Sequence, residues 1–242
     1  MIEISQRLQR IGDRVEHGSR VADIGSDHAY LPTYLIQQGI AASCIAGEVN
    51  KGPWQSAARQ IQSAGLTDRI EARLGDGLAV LEPGEVDVVC ISGMGGSLIA
   101  SILGAGEAKL VGVRQLILQP NVAAPLVRRW LMEHGWQLVA EDILEEDGII
   151  YEILEARPGD PMLPYEDSTR TPADLVEIGP HLWHKKSPVL HKKWSLECAK
   201  LRMVLDQMTK AKSAEAESRR EEMEKRLNWM EEMLACMQTD SV

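Results

Sequence analysis

The 242-residue sequence has few of the features that mark membrane, secreted or metal-binding proteins. No apolar run reaches the roughly 18 residues that a membrane-spanning helix requires. The first ten residues, MIEISQRLQR, lack the apolar core of a signal peptide. The four cysteines are far apart and form no CxxC pair, so neither a zinc site nor a disulfide framework is indicated. With 44% apolar and 26% charged residues, the sequence predicts a globular cytoplasmic protein without a membrane segment or metal site.

The net charge of −10 is divided unevenly along the chain. Residues 1–180 hold 14 Lys and Arg against 26 Asp and Glu, a balance of −12. Residues 181–212 hold 8 against 2, a balance of +6, and residues 213–242 hold 4 against 8, a balance of −4. The overall charge argues against general adhesion to nucleic acid. The basic segment is nevertheless a local feature suited to a polyanionic partner.

Strand-like and helix-like patterns alternate over the first two thirds of the chain, after an amphipathic helix predicted over residues 4–15. Residues 136–156 then form two strands around an Asp147-Gly148 turn. Alternation of this kind predicts an α/β fold with a mostly parallel sheet covered by helices on both faces. The final hairpin is expected to add an antiparallel strand at the sheet edge. The other predicted strands are 20–25, 44–48, 70–77, 86–91 and 114–120.

The last third of the chain divides into a proline-rich part and a helical part. Residues 158–188 hold six of the eleven prolines and predict a linker or an irregular segment that wraps the first domain. Residues 189–238 contain neither glycine nor proline. Two heptad seams there, joined through residues 209–218, predict an antiparallel coiled-coil hairpin. A single helix about 75 Å long, with its seams covered by a second chain, is the alternative. The predicted domains are therefore 1–157, a linker 158–188 and a hairpin 189–242, in a protein expected to be a monomer. The seam residues are Trp194, Cys198, Leu201, Leu205 and Met208, then Met223, Leu227, Met230, Leu234 and Met237.

Four predicted strands end in polar or glycine-rich segments, where an open parallel sheet binds its ligands. The first strand continues into ADIGSDHAY, with Asp23 and Asp27 but without the GxGxxG spacing of a pyrophosphate loop. Two carboxylates would repel a diphosphate but suit a ligand that carries an ammonium and a sulfonium. Glu48 ends the second strand, where an acidic residue can accept hydrogen bonds from ribose hydroxyls. Asp76 follows the third strand and could accept a hydrogen bond from an adenine amino group. Together with the glycine loop ISGMGG, residues 91–96, these segments favour S-adenosylmethionine over NAD.

Each of these features also has an ordinary structural interpretation. Asp76 alone is a typical turn residue, and ISGMGG alone is a tight turn from a strand into a helix. His28 is nearly as well explained as a hydrogen-bonded structural histidine, and Tyr30 as a residue packed under the first helix. The segment Gln119-Pro120-Asn121 either positions a purine base or belongs to a turn. The cofactor prediction depends on the four segments occurring together at successive strand ends.

Five segments of the sequence resemble those of the bacterial tRNA (adenine(22)-N1)-methyltransferase family. They are VADIGSDHAYLP, AGEVNKGPWQSA, RLGDGL, ISGMGG and LILQPN. The resemblance covers nearly the whole chain in order and implies a Rossmann-like class I methyltransferase domain followed by a C-terminal coiled coil. It implies methylation of adenine N1 at position 22, in the D-arm of tRNA. The predicted cofactor-binding residues are Asp23, Gly25, Asp27, His28, Tyr30, Glu48, Val49, Asp76, Gly77, Gly93, Met94, Gly95 and Gly96.

Adenine N1 already carries a lone pair, so the predicted reaction needs positioning of the base more than a strong general base. Asn121 is the candidate for positioning, and His28 or Asp27 for local electrostatics. A methyltransferase acting on a protein or small molecule, and a non-catalytic coiled-coil adaptor that binds the cofactor, are the alternatives. Seven cations are predicted to contact tRNA phosphates: Arg7, Arg10, Arg14, Lys185, Lys186, Lys192 and Lys193.

Overall fold

The computed structural model describes residues 2–166, 169–208 and 214–239. The chain divides into two compact units, Met1–Trp183 and His184–Val242. A seven-stranded sheet forms the centre of the first unit. Its strands are β1 (Ser19–Ile24), β2 (Ala41–Glu48), β3 (Ile70–Leu74), β4 (Val88–Gly95), β5 (Gln115–Val122), β6 (Trp136–Glu146) and β7 (Ile149–Pro158). The helices are α1 (Gln6–Gly12), α2 (Tyr30–Gln37), α3 (Lys51–Ser63), α4 (Gly96–Ala105), α5 (Ala124–Glu133), α6 (Pro172–Ile178), α7 (Pro180–Lys185), α8 (Pro188–Met208) and α9 (Ala214–Thr239).

The strand order is β3-β2-β1-β4-β5-β7-β6, which confirms the predicted α/β sheet. The first five strands in this order are parallel, whereas β7 is antiparallel to both of its neighbours. The antiparallel strand therefore lies one position inside the edge, and β6 is the edge strand. Burial explains this order, because Ile153, Leu154 and Ala156 of β7 are fully buried. Such an apolar strand gains most from a neighbour on each side.

The sheet reverses its strand order between β1 and β4, which are paired through Ile24 and Ile91. The central strands are apolar on both faces, as residues 88–91 of β4 and 116–118 of β5 are fully buried. Continuous apolar runs are typical of parallel strands covered by helices on both sides. This reversal is the topological switch point, beside which ligands bind in open α/β sheets.

The segment predicted as a linker contains two short helices, and the boundary between the two units falls inside it, after Trp183. Helix α6 begins with a capping box in which the Thr171 hydroxyl accepts from the backbone N–H of Asp174, with Pro172 at the first helical position. Leu175 and Ile178 are buried in the first unit. Residues of the proline-rich segment are thus part of the core of that unit.

A buried charge cluster lies beneath α6. The Arg128 guanidinium donates to Glu141 Oε1 at 2.7 Å, to Glu152 Oε2 at 2.5 Å and to the carbonyl of Val176 at 3.2 Å. Arg128 and Glu141 are fully buried. Breaking such a pair would leave an uncompensated buried charge, so these contacts hold α6 against α5 and the β6–β7 hairpin.

The second unit consists of α8 and α9, which form the predicted hairpin. Trp194 and Trp229 meet edge to face with ring centroids 5.5 Å apart, and Arg202 lies 2.6 Å from Glu231. Only residues 209–213 separate the helices, too few to return along a 21-residue helix, so α8 and α9 run antiparallel. The predicted connection 209–218 lies partly outside the described residues. Within the described part of the chain, no helix is long and apolar enough to cross a membrane.

Candidate active site

The carboxyl ends of five adjacent parallel strands bring the predicted site segments to one edge of the sheet. The register pairs Ile24 of β1 with both Gly47 of β2 and Ile91 of β4. Glu48 pairs with Leu74 of β3, and Met94 pairs with Pro120 of β5. Segments separated by up to about 100 residues in the sequence therefore border one site.

The segment after β1 has an unusual backbone conformation. Gly25 has a φ of +73°, and three successive non-glycine residues, Asp27, His28 and Ala29, have φ values of +37°, +64° and +56°. Left-handed conformations at non-glycine residues are strained and are found mostly at functional sites. A Cβ at Gly25 would lie 2.1 Å from Cε of Met94. Glycine is therefore favoured at residue 25 by the left-handed turn, and a larger residue there would also require the flexible end of Met94 to move.

Asp23 is a buried carboxyl group beneath this segment, with 3% of its surface exposed. The hydroxyl of Ser26 donates to its Oδ2 at 2.7 Å. Burial raises the pKa of Asp23 to about 7, against the opposing effect of the Ser26 hydrogen bond, and the nearby charge of Glu48 raises it further. The carboxyl group of Asp23 therefore changes between its protonated and ionised forms near neutral pH.

Glu48 connects β2 to the segment after β1. Its Oε1 accepts a hydrogen bond of 2.5 Å from the backbone N–H of Asp27, and its side chain is buried. Burial raises the pKa of Glu48, partly offset by that hydrogen bond. Its second oxygen, Oε2, accepts no hydrogen bond from the described residues. A carboxylate fixed by one oxygen at a strand end can accept hydroxyl protons with the other.

The glycine segment predicted as a loop is an irregular end of β4. Pairing with β5 shifts register around Met94, Gly93 has a φ of +76°, and α4 begins directly at Gly96. A Cβ at Gly96 would lie 2.2 Å from the carbonyl oxygen of Ala123, so only glycine allows the two chain segments to approach this closely. A Cβ at Gly93 would meet only the Arg7 Nη1 atom, at 4.0 Å. Gly93 thus leaves open space at the edge of the site.

Gln119 and Asn121, at the end of β5, form a ring of hydrogen bonds with Gly93. The Gln119 Oε1 atom accepts from the Gly93 N–H at 3.1 Å, and its Nε2 donates to Asn121 Oδ1 at 3.1 Å. Asn121 Nδ2 donates in turn to the Gly93 carbonyl at 2.8 Å. The predicted base-positioning residue Asn121 is exposed, and both ends of its carboxamide are engaged in supporting Gly93.

The remaining predicted cofactor residues border the same edge. His28 and Tyr30 are exposed and stacked, with ring centroids 5.4 Å apart, and His28 Nε2 lies 3.4 Å from Asp27 Oδ1. Val49 is exposed beside Glu48. Asp76 is also exposed and precedes the 3₁₀ helix Gly77–Val80.

The three arginines predicted to face tRNA are already bonded within the first unit. Arg10 is more than half exposed and lies 3.4 Å from Asp142. Arg14 follows α1, is mostly buried and pairs with both Asp142 and Glu155. Arg7 Nη1 donates to Gln119 Oε1 at 2.6 Å. Of the three, Arg10 has the most exposed guanidinium.

The four predicted lysines lie in the second unit, around the end of α7 and the start of α8. Lys185 and Lys192 are exposed, whereas Lys186 and Lys193 are half-buried. The ammonium of Lys193 lies 4.9 Å from the centroid of the Trp194 ring. The four lysines lie within nine residues of the sequence, two of them exposed and two half-buried.

Two contributors to the site were not among the predicted site residues. Ser26 hydrogen-bonds Asp23, and the fully buried Gln119 links α1 to β4 and β5. The Asp-x-x-Ser spacing around the first glycine is a signal that could have indicated Ser26. The sequence indicates Gln119 only as part of the segment Gln119-Pro120-Asn121, and nothing in the sequence identifies the partners of its side chain. Among the described residues, no cluster of three or more His, Cys, Asp or Glu side chains could hold a metal ion.

Comparison with known proteins identifies the family. Residues 21–232 match the family model described as tRNA (adenine(22)-N(1))-methyltransferase. The chain belongs to this family. It is 42% identical over 234 residues to a tRNA (adenine(22)-N(1))-methyltransferase of Bacillus subtilis (strain 168), covering 96% of this chain and 98% of the relative. The resemblance noted in the sequence is thus confirmed.

Solved structures agree with this assignment. The fold matches the crystal structure of a B. subtilis tRNA methyltransferase with a TM-score of 0.91 at 40% identity, over 97% of this chain and all of that one. A Streptococcus pneumoniae protein in complex with S-adenosyl-L-methionine matches with a TM-score of 0.84 at 41% identity, over 96% of this chain and all of that one. The matches extend over both units, so the helical hairpin is part of the family fold.

Proposed function

We propose that this protein transfers a methyl group from S-adenosylmethionine to N1 of adenine 22 in the D-arm of tRNA. The observation that carries the proposal is the site itself. Asp23, Glu48 and Gly93 lie at adjoining strand ends, in a chain that belongs to the tRNA (adenine(22)-N(1))-methyltransferase family. No feature of these segments requires a different chemistry.

The residues at the strand ends fit the proposed cofactor. S-adenosylmethionine supplies an electrophilic methyl group on a positively charged sulfonium, next to an ammonium group, a ribose and an adenine. The available Oε2 of Glu48 suits the ribose hydroxyls, and Asp76 suits the adenine amino group. The carboxyl group of Asp27 favours a cationic ligand, as does that of Asp23 in its ionised form. Open space at Gly93, where a Cβ would have no protein atom closer than 4.0 Å, leaves room beside the site.

The protein's part in the reaction is to position the adenine and keep its surroundings dry. N1 lies on the Watson–Crick edge, so a paired or stacked adenine must first be turned out, at a cost of a few kcal/mol. Its lone pair attacks the methyl carbon as the carbon–sulfur bond breaks, and the base becomes positively charged. We assign the stabilisation of that charge to Asp27 and to carbonyl groups near Gly93. Asn121 acts on the base through the Gly93 turn that it supports, and His28 acts through Asp27.

Recognition of the tRNA backbone is assigned to cations of both units. The cluster of Lys185, Lys186, Lys192 and Lys193 provides local positive charge that an otherwise acidic protein needs to attract phosphates. Arg10 is the best placed of the three N-terminal arginines, because Arg14 is mostly buried between two carboxylates. These residues contact phosphates and therefore contribute affinity rather than base specificity.

The two helices of the hairpin contact each other through Trp194 and Trp229. Of the ten seam residues, Trp194, Cys198, Met230 and Met237 are buried and the other six are half-buried. We therefore infer that the protein works as a monomer. Among the described residues the cysteines form no disulfide, which fits the reducing cytoplasm. A tRNA substrate fits the same compartment.

The direct test is transfer of a labelled methyl group from S-adenosylmethionine to unmodified tRNA, followed by digestion to nucleosides. The expected product is 1-methyladenosine. Transfer to protein or small molecules in place of tRNA would support the alternative methyltransferase. Cofactor binding without transfer to any substrate would support the adaptor.

A further inference from the structure

Arg7 has a place in the structure that differs from that of a phosphate-binding residue. Its side chain is half-buried, and Nη1 donates a hydrogen bond of 2.6 Å to Oε1 of the fully buried Gln119, 112 residues away in the sequence. The guanidinium carbon lies 5.3 Å from the centroid of the Tyr151 ring. The backbone N–H of Arg7 donates to Glu146 Oε2 at 3.3 Å. Both the backbone and the side chain of Arg7 are therefore fixed against the first unit.

The hydrogen bond from Arg7 determines how the ring around Gly93 is oriented. Arginine has only donors, so it requires the oxygen of the Gln119 carboxamide. The Gly93 N–H requires the same oxygen, which leaves the Gln119 amide nitrogen for Asn121 Oδ1. Asn121 must then direct its own nitrogen to the Gly93 carbonyl. The charged donor thus strengthens one arrangement of the whole ring over its flipped alternative.

The ring holds the part of β4 where the base and the methyl group are brought together. Gly93 is in a left-handed conformation, and the next residue, Met94, extends across the switch point to Gly25. A displacement of about 1 Å in such a segment can reduce a reaction rate by about 100-fold. Building on the function proposed above, we propose that Arg7 is a positioning residue for methyl transfer, acting through Gln119 and Asn121 on the Gly93 turn, and not a tRNA phosphate contact.

The test compares Arg7→Ala and Arg7→Lys with a matched surface variant, Arg129→Ala. Arg129 is half exposed in α5 and pairs with Glu177 away from the strand ends. Each variant is measured in single-turnover methylation at saturating tRNA and cofactor, in tRNA binding across a salt series, and in cofactor binding by calorimetry. Arg7→Ala is expected to slow the saturated rate by about 10- to 100-fold, with both dissociation constants within about threefold of wild type. Arg7→Lys keeps the charge but loses the planar donor geometry. Its saturated rate is expected to lie between those of Arg7→Ala and wild type.

Coupling to Asn121 separates positioning from a general structural role. If Arg7 acts through the ring, the Arg7→Ala/Asn121→Ala double variant should react within about threefold of the slower single variant. Independent effects that multiply in the double variant would overturn the proposal. The proposal would also be overturned if Arg7→Ala weakened tRNA binding and flattened its salt slope by about one while leaving the saturated rate unchanged. That combination identifies a phosphate contact. A wild-type protein that methylates no tRNA would instead refute the proposed function, whatever the variants do.

Discussion

The backbone N–H of Asp27 donates a hydrogen bond to Oε1 of Glu48, which joins the strained segment after β1 to the end of β2. This contact fixes one oxygen of Glu48 and leaves the other for the proposed ribose. It also explains how an acid can be buried at a strand end although burial raises its pKa.

Replacing Glu48 with alanine should weaken cofactor binding while leaving the fold intact. A hydrogen bond to a charged group contributes about 1.5–3 kcal/mol, so the dissociation constant should rise about 10- to 150-fold. Isothermal titration with S-adenosylmethionine measures this, with Glu133→Ala, an exposed glutamate at the end of α5, as the control. If both variants bind like wild type, the ribose is held elsewhere.

Gly25→Ala should destabilise the protein more than Gly39→Ala. Both glycines have φ values near +70°, so each substitution carries a similar backbone cost of about 1–3 kcal/mol. Only Gly25 has a close neighbour, because Met94 Cε would lie 2.1 Å from its new Cβ. Urea denaturation compares the two, and adding Met94→Ala should recover part of the difference. Equal losses for the two glycine variants would mean that the approach of Met94 is unimportant.

Asp23 should make stability depend on pH. Its pKa is raised in the folded state to about 7, above the unfolded value near 4, so the folded state binds more protons between these values. Stability should therefore fall as pH rises from about 4 to 7 and change little from this group above that range. Unfolding free energies of wild type and Asp23→Asn should diverge over that range, by up to about 4 kcal/mol. Parallel curves would show that Asp23 is ionised throughout.

The lysine cluster should account for much of the salt dependence of tRNA binding. Changing Lys185, Lys186, Lys192 and Lys193 together to alanine should flatten the salt slope by up to about 3–4 units and leave cofactor affinity unchanged. The corresponding set of arginines keeps the charge and should keep the slope. Filter binding across a salt series compares the three proteins. An alanine variant with the wild-type slope would show that the tRNA backbone is held by other residues.

Truncation should separate the two units at Trp183. A chain ending there keeps Leu175, Ile178 and Leu182 in the core and should fold and bind the cofactor, with tRNA methylation greatly reduced. A chain ending at Gly159 removes those buried residues together with the Val176 carbonyl that accepts from Arg128, and should fail to fold stably. Circular dichroism and cofactor titration distinguish the two. A stable chain ending at Gly159 would restore the idea of a dispensable linker.

The sequence predicts those features that depend on local pattern. The alternation of strands and helices, the Asp147-Gly148 turn and the helical character of the last third depend on residues close together in the sequence, and all appear in the structure. The capping box at Thr171 is also a local signal, as are the prolines at the starts of α6 and α7. The high proline content of this segment nevertheless favours a linker over helices.

Features that depend on distant residues could not be read from the sequence. A hairpin signal pairs β6 with β7 but does not say which of them meets β5. Arg7 appears on a basic helical face, and only its bond to Gln119, formed by the folding of strand β5 next to α1, shows another role. Arg128 likewise resembles a surface residue of an amphipathic helix until Glu141 and Glu152 are brought to it.

The proposed activity methylates a single atom at a single position of tRNA, which mapping of the product can show. A tRNA transcript with adenosine at position 22, incubated with the protein and S-adenosylmethionine, is cleaved by nuclease and analysed by mass spectrometry. The expected result is one added methyl group, at N1 of adenine 22, and none on the same transcript carrying guanosine at that position. A methyl group at another nucleotide or atom, or equal transfer to both transcripts, would contradict it.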